Sequence, residues 1–458
     1  MPDLNKLTAL RDFFLTGNTK TYDFRKQQLM KLKHAVHKYE EQIFIALYQD
    51  LKKSREESWV TENGFLLTEI GNTLKNLEHW MKPKRVKTNL LNLPSKSFIM
   101  SEPLGVVLII SPWNYPFQLL FTPLVGAIAA GNCIVLKSSE FAPAISEVMK
   151  ELIEETFDEN YILFVEGDGS LVVPEMMNNF VFDHVFYTGS TAVGKLIYQM
   201  ASKDLVPVTL ELGGKSPCLV EDDADIKVSA KRIAMTKFSN AGQMCVAPDF
   251  LLAHVSVKNA LVSEIEKGIK VFFGPDPRVS SDFGKIINEK QFDRLSGYLN
   301  EGKILYGGIT NRDKLYISPT LMEVSGTNDN IMKEEIFGPI LPILTFSDKN
   351  EALEIISRFK NPLAFYVFTS SEEKEQFWLN NVPFGGGCVN NASWHLTNHH
   401  LPFGGRGFSG TGSYHGKFSF DTFSHKKGIM KTPTWFDPSI KYPPFKGKLK
   451  LFKMIIGK

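Results

Sequence analysis

The 458-residue sequence is short of cysteine and nearly without net charge, and each shortage excludes a class of protein. Its four cysteines, Cys133, Cys218, Cys245 and Cys388, form no CxxC pair. Their wide spacing suits neither a zinc cluster nor a small disulfide scaffold, so no metal is expected. Such cysteine usage fits a reducing cytoplasm. A net charge of +2, with no basic patch interleaved with aromatics in the body, argues against nucleic acid as a partner. The start, Met1-Pro2-Asp3 followed by Lys6, Arg11 and Asp12, lacks an apolar run, so no signal peptide is expected.

Charge is also missing from Pro103 to Leu136, a length that would cross a bilayer. Ser111-Pro112-Trp113-Asn114-Tyr115-Pro116 and then Pro123 interrupt that run. It reads better as a buried strand (Gly105–Ile110), a loop, a helix from Phe117 to Ala130, a Gly131-Asn132 turn and a second buried strand (Cys133–Leu136). Parallel strands covered on both faces look continuously apolar in this way.

What is present is the mix of a soluble globular protein: 43% hydrophobic and 22% charged residues, in a chain long enough for two or three domains. Helical spacing dominates up to Met81, through Arg25, Gln28, Leu29, Leu32 and Val36. Residues Val86–Ile99 suggest a hairpin. From 104 to 210 strands alternate with helices (Val106–Ile110, Cys133–Leu136, Ile162–Val165, Val185–Tyr187, Val208–Leu210), the rhythm of a parallel α/β sheet. A second α/β run extends to Val389.

Three motif matches fail on chemistry. Gly189-Ser190-Thr191-Ala192-Val193-Gly194-Lys195 follows a strand and spells GxxxxGK, but Leu196 stands where a P-loop ATPase needs a magnesium-binding hydroxyl. The turn still offers backbone N–H groups at a helix start, which suits a pyrophosphate. Gly405–Gly410 spells GxGxxG without the strand and helix that the motif needs. His395 and His399 have i, i+4 spacing, but Leu396 replaces the glutamate of HExxH. The informative residues are Glu211, at a strand end before Gly213-Gly214, and Cys245, in Gly242-Gln243-Met244-Cys245. Taken alone, the first reads equally as a helix-cap or salt-bridge carboxylate and the second as a small core residue.

Leu210-Glu211-Leu212-Gly213-Gly214-Lys215-Ser216-Pro217 followed by Gly242-Gln243-Met244-Cys245 resembles the NAD(P)-dependent aldehyde dehydrogenase superfamily. Pro112–Pro116, Lys137-Ser138-Ser139-Glu140, Tyr187–Ser190 with Val193-Gly194-Lys195, Glu334–Pro339 and Leu401–Gly405 through Ser413–Lys417 match its motifs in order. Ser138 replaces the family's usual proline. The ending and Cys245–Asp249 look most like the class 3 branch, which handles fatty and aromatic aldehydes.

The resemblance implies two parallel-sheet α/β domains and a small β bridging element: a cofactor-binding domain over 1–85 and 104–210, a catalytic domain over 211–404, and a bridge over 86–103 and 426–440. It implies a homodimer. Cys245 would be the nucleophile, Asn114 with the Cys245 N–H the oxyanion donors, and Glu211 the base that activates water to hydrolyse the thioester. Trp113, Lys137, Glu140, Gly189, Ser190, Gly194, Leu212, Glu335 and Phe337 would bind the cofactor. Glu140 would favour NAD, with NADP as an alternative. The expected substrate is apolar (a long-chain fatty, aromatic or isoprenoid/polyene aldehyde), with Tyr115 and Trp394 in its pocket. A silent relative would be expected to lose Cys245 or Glu211, and neither is lost. Residues 441–458 form a basic amphipathic tail. Read as a helix over Lys446–Lys458, it suits either peripheral contact with an anionic membrane surface or docking on a partner subunit.

Overall fold

The uncharged run that begins at Pro103 folds back on itself. Val106–Ile110 and Cys133–Lys137 are parallel neighbours, and the fully buried helix Pro116–Ala130 connects them. Pro116 opens this helix, where its missing N–H is no loss. The helix continues through Pro123, so this proline does not interrupt it; the buried packing around every residue of the helix outweighs one lost backbone bond. Gly131, at φ 91°, ends it in the left-handed conformation that a side chain would disfavour. The computed structural model describes residues 4–456, so Met1-Pro2-Asp3 and the last two residues of the tail lie outside it. No helix among the described residues is long and apolar enough to cross a membrane.

Two large sheets organise the chain. The six-stranded sheet runs in the order Gly410–Thr411, Val208–Glu211, His184–Thr188, Val106–Ile110, Cys133–Lys137, Ile162–Val165. All its pairings are parallel except that of the short Gly410–Thr411 strand. Chain order reverses between Val106–Ile110 and His184–Thr188, and ligands bind at the strand ends beside such a switch. The seven-stranded sheet runs Lys303–Tyr306, Thr320–Glu323, Ile340–Phe346, Phe250–His254, Pro217–Val220, Ala364–Phe368, Gly386–Val389. Four strands expected from sequence in the first sheet are present within a residue or so of their expected bounds, and Ile162–Val165 matches at both ends. Their continuously apolar residues are buried on both faces, which is why the pattern was readable.

The hairpin expected near 86–99 is real but wider. Lys84–Val86 pairs antiparallel with Lys96–Pro103, and Ser424–Lys431 completes a three-stranded sheet. The N-terminal helices end at Met81, as the spacing predicts, but a π-helical turn at Trp59–Asn63 breaks the run before Gly64–Met81. Among the described residues of the tail, the α-helix covers Leu449–Ile455, about 10 Å, rather than the full basic segment. Gly447, at φ 83°, and Pro443-Pro444 precede that helix and account for its short length.

Candidate active site

Cys245 lies in the loop before strand Phe250–His254, at the N-terminal end of the second sheet. Glu211 ends strand Val208–Glu211 of the first. The two sheets thus present a thiol and a carboxyl to one another. Asn240, Ala241 and Gly242 all adopt positive φ, so the chain turns sharply just ahead of the cysteine. That turn is tied down on several sides. The Asn240 side-chain amide donates to the Asn114 carbonyl (2.9 Å) and the Gln243 carbonyl (3.3 Å). Asn114 Nδ2 donates to the same Gln243 carbonyl at 3.0 Å. Gln243 in turn binds the carbonyls of Asn240 and Lys285 and accepts from the Ile287 N–H. Asn114 is therefore fixed directly against the Cys245 loop, one hydrogen of its amide engaged and its Oδ1 without a partner.

Burial, with the Glu335 and Glu211 carboxyls nearby, pushes the Cys245 thiol up to about 12. The N–H groups of Cys245 and Val246 pull in the opposite direction, since they point toward the sulfur. The resting thiol is thus protonated at neutral pH, and a nucleophile here must pass its proton to a base as it attacks. Glu211 is 3% exposed, and neither carboxyl oxygen has a hydrogen-bond partner. Burial alone drives its pKa well above the ordinary carboxylate range. Gly404 lines this carboxyl: a Cβ there would sit 3.2 Å from Glu211 Oε1. The buried phenols Tyr115 and Tyr414 also approach Cys245, and Tyr414 approaches Glu211 as well. Trp394 is placed differently. It is 60% exposed, in a surface depression with Met235 and Phe272 on the outer side of the helix that leads to the cysteine loop.

The expected cofactor residues gather along the switch-point crevice. Ser190 caps helix Thr191–Ser202, accepting from the Val193 N–H at 3.4 Å, so that helix starts directly after the C-terminal end of strand His184–Thr188. Gly194 is packed on Leu212: a Cβ would fall 2.7 Å from Leu212 Cδ2. Lys137 Nζ lies 3.4 Å from Glu140 Oε2. Gly169 leaves that pair open on one side, since a Cβ there would come within 3.6 Å of Glu140. At the inner end, a Cβ on Gly213 would collide with the Glu335 carboxyl, and the Gly214 N–H donates to that carboxyl. Burial and then Asp249 raise Glu335 to about 8. Phe337 holds a positive φ of 51° and meets Trp113 edge to face at 5.4 Å. A helix start that could take phosphate, two carboxyls and a pair of aromatic rings are features that could hold a dinucleotide.

The match to known proteins is decisive at this point. Residues 11–429 match the aldehyde dehydrogenase family. The chain belongs to that family. It is 48% identical over 443 residues to 4,4'-diaponeurosporen-aldehyde dehydrogenase of Staphylococcus aureus, covering 96% of both chains. It is 43% identical over 458 residues to aldehyde dehydrogenase family 3 member H1 of Arabidopsis thaliana, covering 99% of this chain and 94% of the relative. A solved structure described as the substrate-bound state of Staphylococcus aureus AldH superposes with a TM-score of 0.97 at 46% identity, covering 100% of each chain. The protein is therefore a class 3-like aldehyde dehydrogenase, an oxidoreductase acting on aldehydes, and its family uses NAD(P).

Sequence reasoning passed over residues that hold the site without bearing its chemistry. Lys215 and Asp249 form a buried ion pair. Lys215 also donates to the Ile331 carbonyl (2.9 Å), and Asp249 accepts from the Ile336 N–H (2.8 Å), so the pair fixes the segment that carries Glu335. Lys215 stood inside a recognised motif, but nothing in the sequence pointed to Asp249 as its partner. Asn240 had no signal at all, because its role depends on a left-handed turn.

Proposed function

We propose that this protein oxidises an apolar aldehyde to the free carboxylic acid, with NAD the preferred cofactor and NADP an alternative. The observation that carries the reading is the buried, unpartnered carboxyl of Glu211 beside Cys245. Cys245 Sγ attacks the aldehyde carbon while its proton passes to Glu211. The new oxyanion is held by Asn114 Nδ2 and the Cys245 N–H, giving a thiohemiacetal. The bound cofactor supplies a hydride acceptor, and loss of hydride leaves a thioester on Cys245. Glu211, having released its proton to solvent, takes one from the attacking water. The hydroxide adds to the thioester, the carbon–sulfur bond breaks, and the acid leaves with the thiol restored. In this reading Lys137 and Glu140 hold the adenosine ribose, Gly189, Ser190 and Gly194 the pyrophosphate, and Glu335 the nicotinamide ribose. Leu212, Trp113 and Phe337 pack around the ring.

An isoprenoid or polyene aldehyde is the favoured substrate, with fatty and aromatic aldehydes next. The name of the Staphylococcus aureus relative and the buried aromatic rings about Cys245 support this choice. Trp394, exposed beside Met235, would receive the outer part of a long chain. The six-stranded sheet serves as the core of the cofactor domain (1–85 and 104–210) and the seven-stranded sheet as that of the catalytic domain (211–404). The three-stranded sheet (Lys84–Val86, Lys96–Pro103 and Ser424–Lys431), which overlaps the expected bridge over 86–103 and 426–440, would join two copies in a homodimer. Cys245→Ala tests the central assignment: it should abolish NADH formation from decanal while leaving the far-UV spectrum and NAD binding intact. Substantial turnover by this variant would refute it.

The tail supports a second reading, a cytoplasmic enzyme resting on an anionic membrane surface. Residues 441–453 carry Lys441, Lys446, Lys448, Lys450 and Lys453 and no acidic residue. Leu449, Met454 and Ile456 beside them are 64%, 55% and 56% exposed. Lysines near anionic headgroups contribute about 1 kcal/mol each. The full chain should co-sediment with phosphatidylglycerol vesicles at low salt, and a chain ending at Pro444 should not. Equal, negligible binding by both would favour docking of the tail on a partner subunit.

A further inference from the structure

A buried charged cluster lies behind the oxyanion loop, built from a part of the chain with no assigned role. Lys53 Nζ meets Glu62 Oε1 at 2.6 Å, with both side chains fully enclosed. The other Glu62 oxygen accepts from the Gln118 N–H at 2.8 Å, and the Phe117 N–H also points to this carboxyl. Glu62 therefore caps the start of helix Pro116–Ala130, immediately after Asn114 and Tyr115. The Lys53 ammonium sits 3.8 Å from the Tyr115 ring centroid. Glu57, on the same segment, accepts from the Asn240 N–H at 3.0 Å. Asn240 is the left-handed residue whose side chain joins Asn114 to Gln243. The charge of Lys53 favours the ionised forms of both Glu57 and Glu62 against burial. Asp282 and Glu62, the other charged groups that face Glu57, oppose its ionisation.

We propose that Lys53, Glu57 and Glu62 form one positioning cluster that holds Asn114 and the Cys245 loop in register for attack on the aldehyde. This rests on the reading of Asn114 and Cys245 given above. Glu62 fixes the helix that follows Asn114, Glu57 fixes Asn240 on the opposite side, and Lys53, paired with Glu62, favours the charged form of both carboxyls against the upward push of burial. The two clamps meet at Asn114, which binds the Gln243 carbonyl two residues before the nucleophile. Placing a polar π-helical segment with an enclosed ion pair here costs desolvation, a cost understandable where geometry must be fixed. The cluster touches no reacting atom, so its members are positioning residues. A misplacement of about 1 Å costs on the order of 100-fold in rate, so even a small relaxation of the turn should be measurable.

The test is single-turnover NADH formation from decanal by the full-length enzyme saturated with NAD. Glu57→Ala removes the acceptor for Asn240 and should slow the burst about 10- to 100-fold, with NAD affinity unchanged. Glu57→Gln retains an acceptor oxygen and should restore the burst to near wild type. In an Asn114→Ala background, Glu57→Ala should add little, because the donor it positions is already gone. Lys53→Met, if it folds, should follow Glu57→Ala and recover partly at higher pH as the two carboxyls ionise again. A burst within about twofold of wild type in Glu57→Ala, or losses that multiply in full with Asn114→Ala, would overturn the proposal. A wild-type burst in Asn114→Ala alone would instead refute the oxyanion reading beneath it.

Discussion

Glu62 and Glu211 are both buried, and the fold treats them in opposite ways. Glu62 has an ammonium on one oxygen and a backbone donor on the other. Glu211 has neither, although it is only 3% exposed. Leaving a buried polar group unpaired costs about 1–3 kcal/mol, more for a charged one. A carboxyl kept in that state adds nothing to stability, whereas burial raises its pKa and so strengthens its carboxylate as a base. In the proposed mechanism a fixed back of the site supports an unsatisfied front that substrate and water engage.

That contrast gives a direct prediction for stability. Glu62→Ala strands the Lys53 ammonium in an enclosed site and should cost about 3–5 kcal/mol. Glu211→Ala should cost nothing or stabilise the fold, as removal of a strained functional group often does. The sign follows from its raised pKa. The unfolded chain loses its proton near the ordinary glutamate value of about 4.3, while folded Glu211 retains it to higher pH. Wild-type stability therefore declines through that interval, and the gain from Glu211→Ala should grow as pH rises across it. Urea midpoints with unchanged slopes would measure both effects; equal losses for the two variants would break the comparison.

A smaller effect should separate Glu335 from both. Burial and then Asp249 hold this carboxyl at about 8, although the Gly214 N–H and the Lys215 and Lys237 ammoniums favour its charged form. If it accepts ribose hydroxyls, NAD should bind more tightly as pH rises through about 8, because only the ionised form offers every acceptor lone pair. The gain should reach about tenfold, the value of one hydrogen bond to a charged group. Glu335→Gln should flatten that profile. A fluorescence titration of NAD from pH 6 to 9.5 would show it, and a wild-type profile independent of pH would remove Glu335 from cofactor binding.

Much of this was legible in the sequence, for physical reasons. The strands of the six-stranded sheet are buried on both faces, so their apolar runs identified them almost to the residue. Glu211 and Cys245 stood out because their motifs fill a strand end and a sharp loop. Long-range partners were hidden. Nothing at Lys53 indicates that its ammonium will lie over Tyr115, because that contact depends on a π-helical turn and on the packing of the N-terminal helices. The raised thiol of Cys245 was equally invisible, since it arises from burial first and then from two carboxyls distant in sequence. The exposed position of Trp394 shows the same limit: aromatic content near a motif does not fix the direction of a side chain.

The most direct test is stopped-flow kinetics of Glu211→Gln with NAD and decanal. The amide cannot take a proton from water, so thioester hydrolysis should slow by about 10²–10⁴-fold. The expected trace is a burst of NADH near one equivalent per Cys245 followed by a stalled rate, with an acyl group recoverable on that residue by mass spectrometry. Because the amide cannot take the proton of the raised Cys245 thiol either, the burst itself should be slower than in wild type, and a burst at the wild-type rate would remove Glu211 from the first step. Steady turnover at the wild-type rate, with no acylated Cys245, would contradict the account.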